Sequence, residues 1–447
     1  MKHKITTERG QVLILIVFGL FGLIGMTGLA VDGGNAYSDR RHAQNAADTA
    51  ALAGARALVR EEVWKDASMA IAQENGFEDG DNDLDQTSDS INVEVYQCDE
   101  SDDADTVVDC GEYDIDNIAN ADEYLLVKIS SVVDTYFAPV IGIREISNTV
   151  YAIAHVKPSE RKPFAEGQAV VGLSPDSCSA VKYSGSAETR VEGGGLFVNS
   201  DCTNDAFKNE NMGGTLHAPS ACIVGDTDVD PNDTGDAIDI PPDQFNIGSD
   251  DCEPMGYPPD DYNFPNPDIC LGAPDATVVD AGSNDYMTPG KWSGQFPPAG
   301  VTSLSPGLYC VYGDFRLGAS DVLSGTNISI FVFDGDVDWH GGAEVNLQAY
   351  PEGYGELSGL LIYLPLDDPI DYTHVVHING NSNSYLKGTV LAPAAECVVN
   401  GNGDLPRVDG QFICYTVELS GSSDLYLRYV DSENWDSLTN PIIELTE

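Results

Sequence analysis

The chain has 447 residues, which suggests roughly two to four domains, and 73 Asp+Glu against 21 Lys+Arg give it a formal charge of −52. That balance excludes nucleic-acid binding, which needs a basic surface to displace counterions from phosphates, and it argues against a peripheral protein held on anionic lipid. With 45 Gly and 24 Pro the chain is turn-rich, yet 42% hydrophobic content still supports ordered cores.

Val12 to Val31 is a run of 20 uncharged residues, long enough at about 1.5 Å per residue to cross a hydrocarbon core of ~30 Å. Lys2, Lys4 and Arg9 precede it, so the positive-inside rule places residues 1–10 in the cytoplasm and the bulk of the chain outside the membrane. Gly28-Leu29-Ala30 resembles a signal-peptidase site, but the apolar run is long for a signal and a helical pattern continues beyond it, so a retained anchor over 11–31 is expected. Gly19, Gly22, Gly25 and Gly28 recur every third residue, a small-residue face that lets another helix approach in lipid.

A break is expected at Gly33-Gly34, then one long helix to Asn75-Gly76. Ala43, Ala47, Ala50, Gly54 and Ala57 alternate steps of four and three, which on a helix makes one seam of small residues. Its neighbour is either a partner helix or this protein's own sheet. Strand-like runs follow at Ile91–Cys98, Tyr124–Val133 and Asn148–Val156, with a helical turn at Phe137–Ile141. Cys98 and Cys110 bracket an acidic loop and form a candidate local disulfide.

These residues carry a resemblance. Arg9-Gly10 before the span, Ala30-Val31-Asp32 at its outer end, then Tyr37, Arg41 and Gln44-Asn45-Ala46-Ala47-Asp48 resemble the N-terminal region of the TadG-like family of Tad/Flp pilus-assembly proteins. The later stretch from Asp134 to Val156 is similar to the closing strands of that family's head, so the likeness covers about residues 8–157. It implies a pilin-like α+β head over 32–157 and partners among the Tad secretion machinery or pseudopilins. Two departures narrow what carries over. Related pseudopilins are cut after a Gly and carry Glu five residues on, whereas Leu15 follows Gly10 here; and the DxSxS metal motif of some relatives is missing.

Residues 158–164 read as a charged, Pro-bounded linker, and 165–447 as a Gly/Asp-rich all-β domain. Gly380, Gly401 and Gly421 lie 21 and 20 residues apart, each in an Asn/Ser-Gly corner, with glycine-opened strand-like runs between them at Gly388–Leu391 and Gly410–Ile413. Looser copies occur at Ile328–Phe333, Trp339–Gly342 and Gly359–Ile362. A period near 20 with φ > 0 corner residues suits a parallel β-helix or solenoid, and a hairpin sandwich is the competing fold. Asp226–Pro298 holds 12 of the 24 prolines and reads as an inserted strap tied down through Cys252 and Cys270. Cys178 with Cys202 and Cys397 with Cys414 are further candidate pairs, and an even count of ten cysteines fits an oxidising compartment.

Two acidic loops are candidate calcium ligands: Asp79, Asp81, Asp83 and Asp85, or Asp226, Asp228 and Asp230. Alternate carboxylates suit Ca²⁺, but neither loop completes an EF-hand, since Leu84 and Pro231 stand where its glycine belongs. Seven histidines show no zinc spacing, and no GxSxG, P-loop or dinucleotide fingerprint occurs. A membrane-anchored, non-catalytic envelope protein is therefore expected. The alternative is a β-helical surface protein that binds or degrades polysaccharide, for which Asp367-Asp368 typifies the available acid pairs.

Overall fold

A computed structural model describes residues 9–60, 62–77, 91–98, 107–108, 123–210, 213–232, 237–259, 262–282, 285–401 and 407–446. It divides into two units: residues 1–160 with 440–447, and Arg161–Thr439.

The first unit is built on helix α1 (Arg9–Val59). Its N-terminal part carries the apolar run, whose side chains from Val12 to Val31 are largely exposed and which is long and apolar enough to cross a membrane. The helix passes through Gly33-Gly34 without the expected break. Each glycine costs a helix only about 1 kcal/mol, and Asp32 and Ala36 on either side are buried, so packing outweighs that cost. The interruption comes later. After Val59 the last turn closes with Arg60 N and Glu62 N donating to Ala57 O, and the chain reverses into α2 (Trp64–Glu74). One long helix to residue 75 would leave Ala72 and Phe77 in solvent; the reversal buries them in the same core as the α1 alanines.

Strands β1 (Ile91–Cys98), β2 (Val107–Val108), β3 (Tyr124–Asp134) and β4 (Glu145–Lys157) form a sheet with the C-terminal strand Ile442–Thr446, in the order β2-β1-β3-β4-C-terminal. All neighbours are antiparallel except β1 with β2. Leu125, Val127 and Ile129 alternate along β3 and turn the apolar face toward α1. The chain end thus belongs to the head, where sequence alone carried the β domain to residue 447. Arg161–Pro163 is likewise not a free linker, because it pairs with Asp436–Leu438 as a short antiparallel ribbon.

The second unit is a large all-β body with two main sheets. Almost all their neighbouring strands are parallel, so a sandwich of hairpins does not describe it. The repeat seen in sequence is a true register: Gly380 pairs with Gly401 and Gly401 with Gly421. Upstream the step lengthens, for instance Ile330 to Ile362, because the segment between Gln348 and Leu360 is looped out. The main core lies among Trp339, Phe315, Phe296, Leu347, Val399 and their neighbours.

The chain enters this body in the middle of its larger sheet. Val170–Gly172 pairs with Phe412–Cys414 on one side and Leu196–Val198 on the other, and successive strands run outward to Phe245–Ile247. The chain then crosses to the opposite end, resumes at Gly290–Ser293 and returns strand by strand to Phe412. The crossing segment is the Pro-rich stretch. Met255, Tyr257, Tyr262 and Phe264 pack on the outer apolar face made by Phe164, Val171, Leu391 and Ile413. Only its middle is a strap, since Ile238–Asp239, Phe245–Ile247 and Asp285–Met287 within the expected 226–298 insertion are strands of the two sheets.

Cys252 and Cys270 do tie the strap, but to the sheet rather than to each other. Cys252 bonds Cys222 near the outward end and Cys270 bonds Cys310 near the returning end. The candidate pairs Cys178–Cys202 and Cys397–Cys414 are both disulfides. Cys98 is disulfide-bonded, and Cys110 lies outside the described residues.

Candidate functional site

The seam residues Ala43, Ala47, Ala50 and Ala57 are all buried, and what covers them is the protein itself. Ala43, Ala47 and Ala50 pack with Val93, Val127, Ile129, Val150 and Ala152 of the sheet. Gly54 is where α2 crosses: a Cβ there would lie 2.1 Å from Ser68 Oγ and 3.3 Å from Leu125 Cδ1. Small residues let helix and sheet approach closely, so the seam is occupied within the head and is not a free docking face. The glycines of the apolar run behave differently. Gly19, Gly22 and Gly25 have open space beside them, whereas a Cβ at Gly28 would meet Phe137 Cβ at 3.0 Å.

The polar residues of the N-terminal pattern fix α1 to the β3–β4 hairpin. Asp32 is buried and accepts three backbone N–H bonds, from Tyr136 (2.9 Å), Phe137 (2.9 Å) and Ala138 (2.7 Å). These are the orphan donors at the start of the 3₁₀ turn Ala138–Ile141, so Asp32 caps that turn from another element. Three such donors suit a carboxylate. Seven residues, about two helical turns, further on, Asp39 accepts from Ser131 Oγ of β3 and Asn148 Nδ2 of β4. Gln44 Nε2 donates to Tyr151 O in β4 and to Asp48 Oδ1. Asn45 and Tyr37 are exposed; Asn45 O accepts from Thr49 Oγ1. Arg9 and Gly10 lie in the first turn of α1. The capping role of Asp32 and the bridging role of Asp39 were not legible in sequence, because both partners lie about a hundred residues away.

Between the outer part of the apolar run and the β3–β4 loop lies a cleft of 360 Å³, lined by Phe21, Gly25, Leu29, Val140, Ile141 and other apolar side chains, with Asp32 at its upper end.

Asp79, Asp81, Asp83 and Asp85 lie outside the described residues. Among the described residues no three His, Cys, Asp or Glu side chains gather to hold an ion, Asp226, Asp228 and Asp230 included. The loop spends its carboxylates on its own backbone: Asp226 Oδ1 accepts from Thr227 N, and Asp230 Oδ1 accepts from Asn232 N in an Asx turn. His374 and His377 each approach a different carboxylate, Asp336 at 3.4 Å and Asp338 at 3.7 Å.

Basic residues are scarce in the second unit, and Lys182, Lys387 and Arg428 reach carboxylates on other segments of the chain. Seven of the eight Lys and Arg after Pro163 form ion pairs, such as Lys182 with Glu210 and Glu418, and Lys387 with Glu433. The most buried of these carboxylates is Asp409, which accepts from Arg428 Nε (2.8 Å), Arg407 Nε (3.0 Å) and Tyr385 OH (2.8 Å). Burial pushes its carboxyl up, but the bonds from Arg428, Arg407 and Tyr385 outweigh burial and hold it below the ordinary Asp value.

No curated protein sequence matches the chain. Among solved structures, the competence-associated pilin ComZ from Thermus thermophilus is similar at 13% identity, over 74% of this chain and 82% of that one, but its TM-score of 0.23 is too low for a shared fold to follow. Residues 10–57, which hold the apolar run, Asp32, Gln44 and the alanine seam, match the model of the Tad family, described as putative Flp pilus-assembly TadE/G-like.

Proposed function

We propose that this is a non-catalytic cell-envelope protein of the TadG-like Flp pilus-assembly type. The single span holds residues 1–10 in the cytoplasm and keeps the α+β head and an acidic β-solenoid outside the membrane, where they serve pilus assembly or surface attachment. The family match over residues 10–57 carries this reading. Lys2, Lys4 and Arg9 ahead of the span support the orientation, and the disulfides of the second unit support an oxidising compartment. The solenoid reading rests on the parallel Gly380–Gly401–Gly421 register.

Because the alanine seam is filled by the head's own sheet, docking on helices of the assembly machinery falls to the open glycines Gly19 and Gly22. The test is deletion of the gene in its native host, with surface pili counted by electron microscopy and restored by the full chain. Wild-type pilus numbers in the deletion strain would remove the pilus role. Protection of the second unit from protease added outside intact cells or spheroplasts would reverse the orientation, and release of reducing ends from polysaccharide by the purified chain would reverse the non-catalytic assignment.

A further inference from the structure

Asp134 and Arg144 bracket nine residues, Thr135 to Ile143, that carry no charge in a chain of −52. Within them the large apolar side chains point outward: Tyr136 is 73% exposed, Val140 62% and Ile141 74%. An exposed apolar loop usually pays for itself by covering something, yet the head's core lies elsewhere, between α1 and the sheet.

The loop is also rigidly built. Asp32 takes the N–H groups of Tyr136, Phe137 and Ala138, Gly142 closes the 3₁₀ turn at φ 95°, and Thr135 Oγ1 donates to Ile143 O and Arg144 O. Backbone groups satisfied internally are what a segment needs before it can enter hydrocarbon. Its position is fixed by the anchor. Phe137 touches α1 at Gly28, inside the apolar run, and the cleft under the loop reaches Phe21. Phe21 is eleven residues below Asp32, roughly 16 Å along the helix. The loop tip therefore lies alongside the outer half of the span.

We propose that the Tyr136–Ile143 loop inserts into the outer leaflet beside the anchor, with phospholipid acyl chains filling the cleft between Val140, Ile141 and the Phe21–Leu29 stretch of α1. Asp134 and Arg144 remain at headgroup level, and Tyr136 takes the interfacial place common to aromatic residues. The head is then held to the bilayer at two points, the helix and the loop, which fixes its orientation to the membrane. A lipid surface is favoured over a protein partner because the loop is continuous with the face of α1 that lipid already covers. The inference rests on Val12–Val31 spanning the membrane.

The experiment uses the full chain in phosphatidylcholine–phosphatidylglycerol vesicles, with an environment-sensitive fluorescent amino acid placed singly at position 141, 23 or 74. Nitroxide-labelled lipids quench from within the bilayer and iodide quenches from water. Positions 23 and 141 are expected to lose most emission to lipid nitroxides, position 141 more to a shallow than a deep label, while position 74 responds only to iodide. Quenching at 23 with iodide-only response at 141 would overturn the inserted loop and leave the anchor standing. Iodide-only response at both would overturn the anchor and the loop together. In the Val140→Asp variant the probe at 141 should shift to iodide while 23 is unaffected; unchanged lipid quenching at 141 would refute apolar insertion as what holds the loop there.

Discussion

The strap disulfides offer the sharpest test of how the second unit holds together. Replacing Cys270 and Cys310 with Ala frees the returning end of the strap and opens a link of sequence separation 40; replacing Cys222 and Cys252 frees the other end, with separation 30. Loop-closure entropy assigns these about 3.9 and 3.6 kcal/mol. The unit Arg161–Thr439 has 279 residues, so at about 2.1 cal/mol/K per residue its melting entropy is near 0.6 kcal/mol/K, and each loss should lower the midpoint by about 6–7 °C. Removing Cys397–Cys414, of separation 17, should cost about 3.1 kcal/mol by the same relation but leave the strap in place. The assay is thermal unfolding of the detergent-solubilised chain, with binding of an apolar dye and limited proteolysis below the transition. Freeing the strap should expose Phe164, Leu391 and Ile413, so dye binding and cleavage within 253–269 should rise in the strap variants and not in the Cys397→Ala/Cys414→Ala control. Midpoints within about 1 °C of wild type for both strap variants would refute the entropic argument. Equal dye binding in all three variants would refute the strap as cover for that face.

Ala47→Leu with Ala50→Leu forces extra volume between α1 and the sheet and should destabilise the head by about 1–3 kcal/mol, read by chemical denaturation of the full chain; an unchanged midpoint would mean the seam is not packed as described. Asp409→Ala should cost about 1.5–3 kcal/mol through loss of charge-assisted hydrogen bonds, and Asp409→Asn somewhat less. The Asp409 carboxyl is lowered in the fold, so its stabilisation is complete above its unfolded pKa of about 3.9 and is lost as pH falls through the lower folded value; the acid limb of the wild-type stability curve should therefore be steeper than that of Asp409→Ala. Asp32→Ala should leave the amides of Tyr136, Phe137 and Ala138 open to hydrogen exchange without altering protection in β1, and retained protection at those three amides would remove the capping role. Ordinary salt should raise the midpoint of the second unit, because its large excess of Asp and Glu over Lys and Arg repels itself and exposed charges are screened over about 8 Å at physiological ionic strength.

Features carried by nearest neighbours along the chain were legible in the sequence. The apolar run of Val12–Val31, the alanine seam, the strands at Ile91–Cys98 and around Val127 and Ala152, and the Gly380–Gly401–Gly421 register all follow from spacing, because helix and strand periods and a repeating parallel strand pairing project directly onto residue numbers. What faces the seam was a question of which surface lies opposite, and only the packing of β3, β4 and α2 answered it. The helix break moved from Gly33-Gly34 to residues 60–63 for the same reason: local glycine propensity is worth about 1 kcal/mol per residue, less than the burial that α2 gains by folding back. The entry of the chain at mid-sheet, the strap across its face and the Cys222–Cys252 and Cys270–Cys310 bonds join strands far apart in sequence. Asp32 shows the limit most plainly. Its place at the outer end of the span was visible at once, but its three N–H donors come from Tyr136 to Ala138, and a hydrogen bond across a hundred residues leaves no period in a sequence for spacing to reveal.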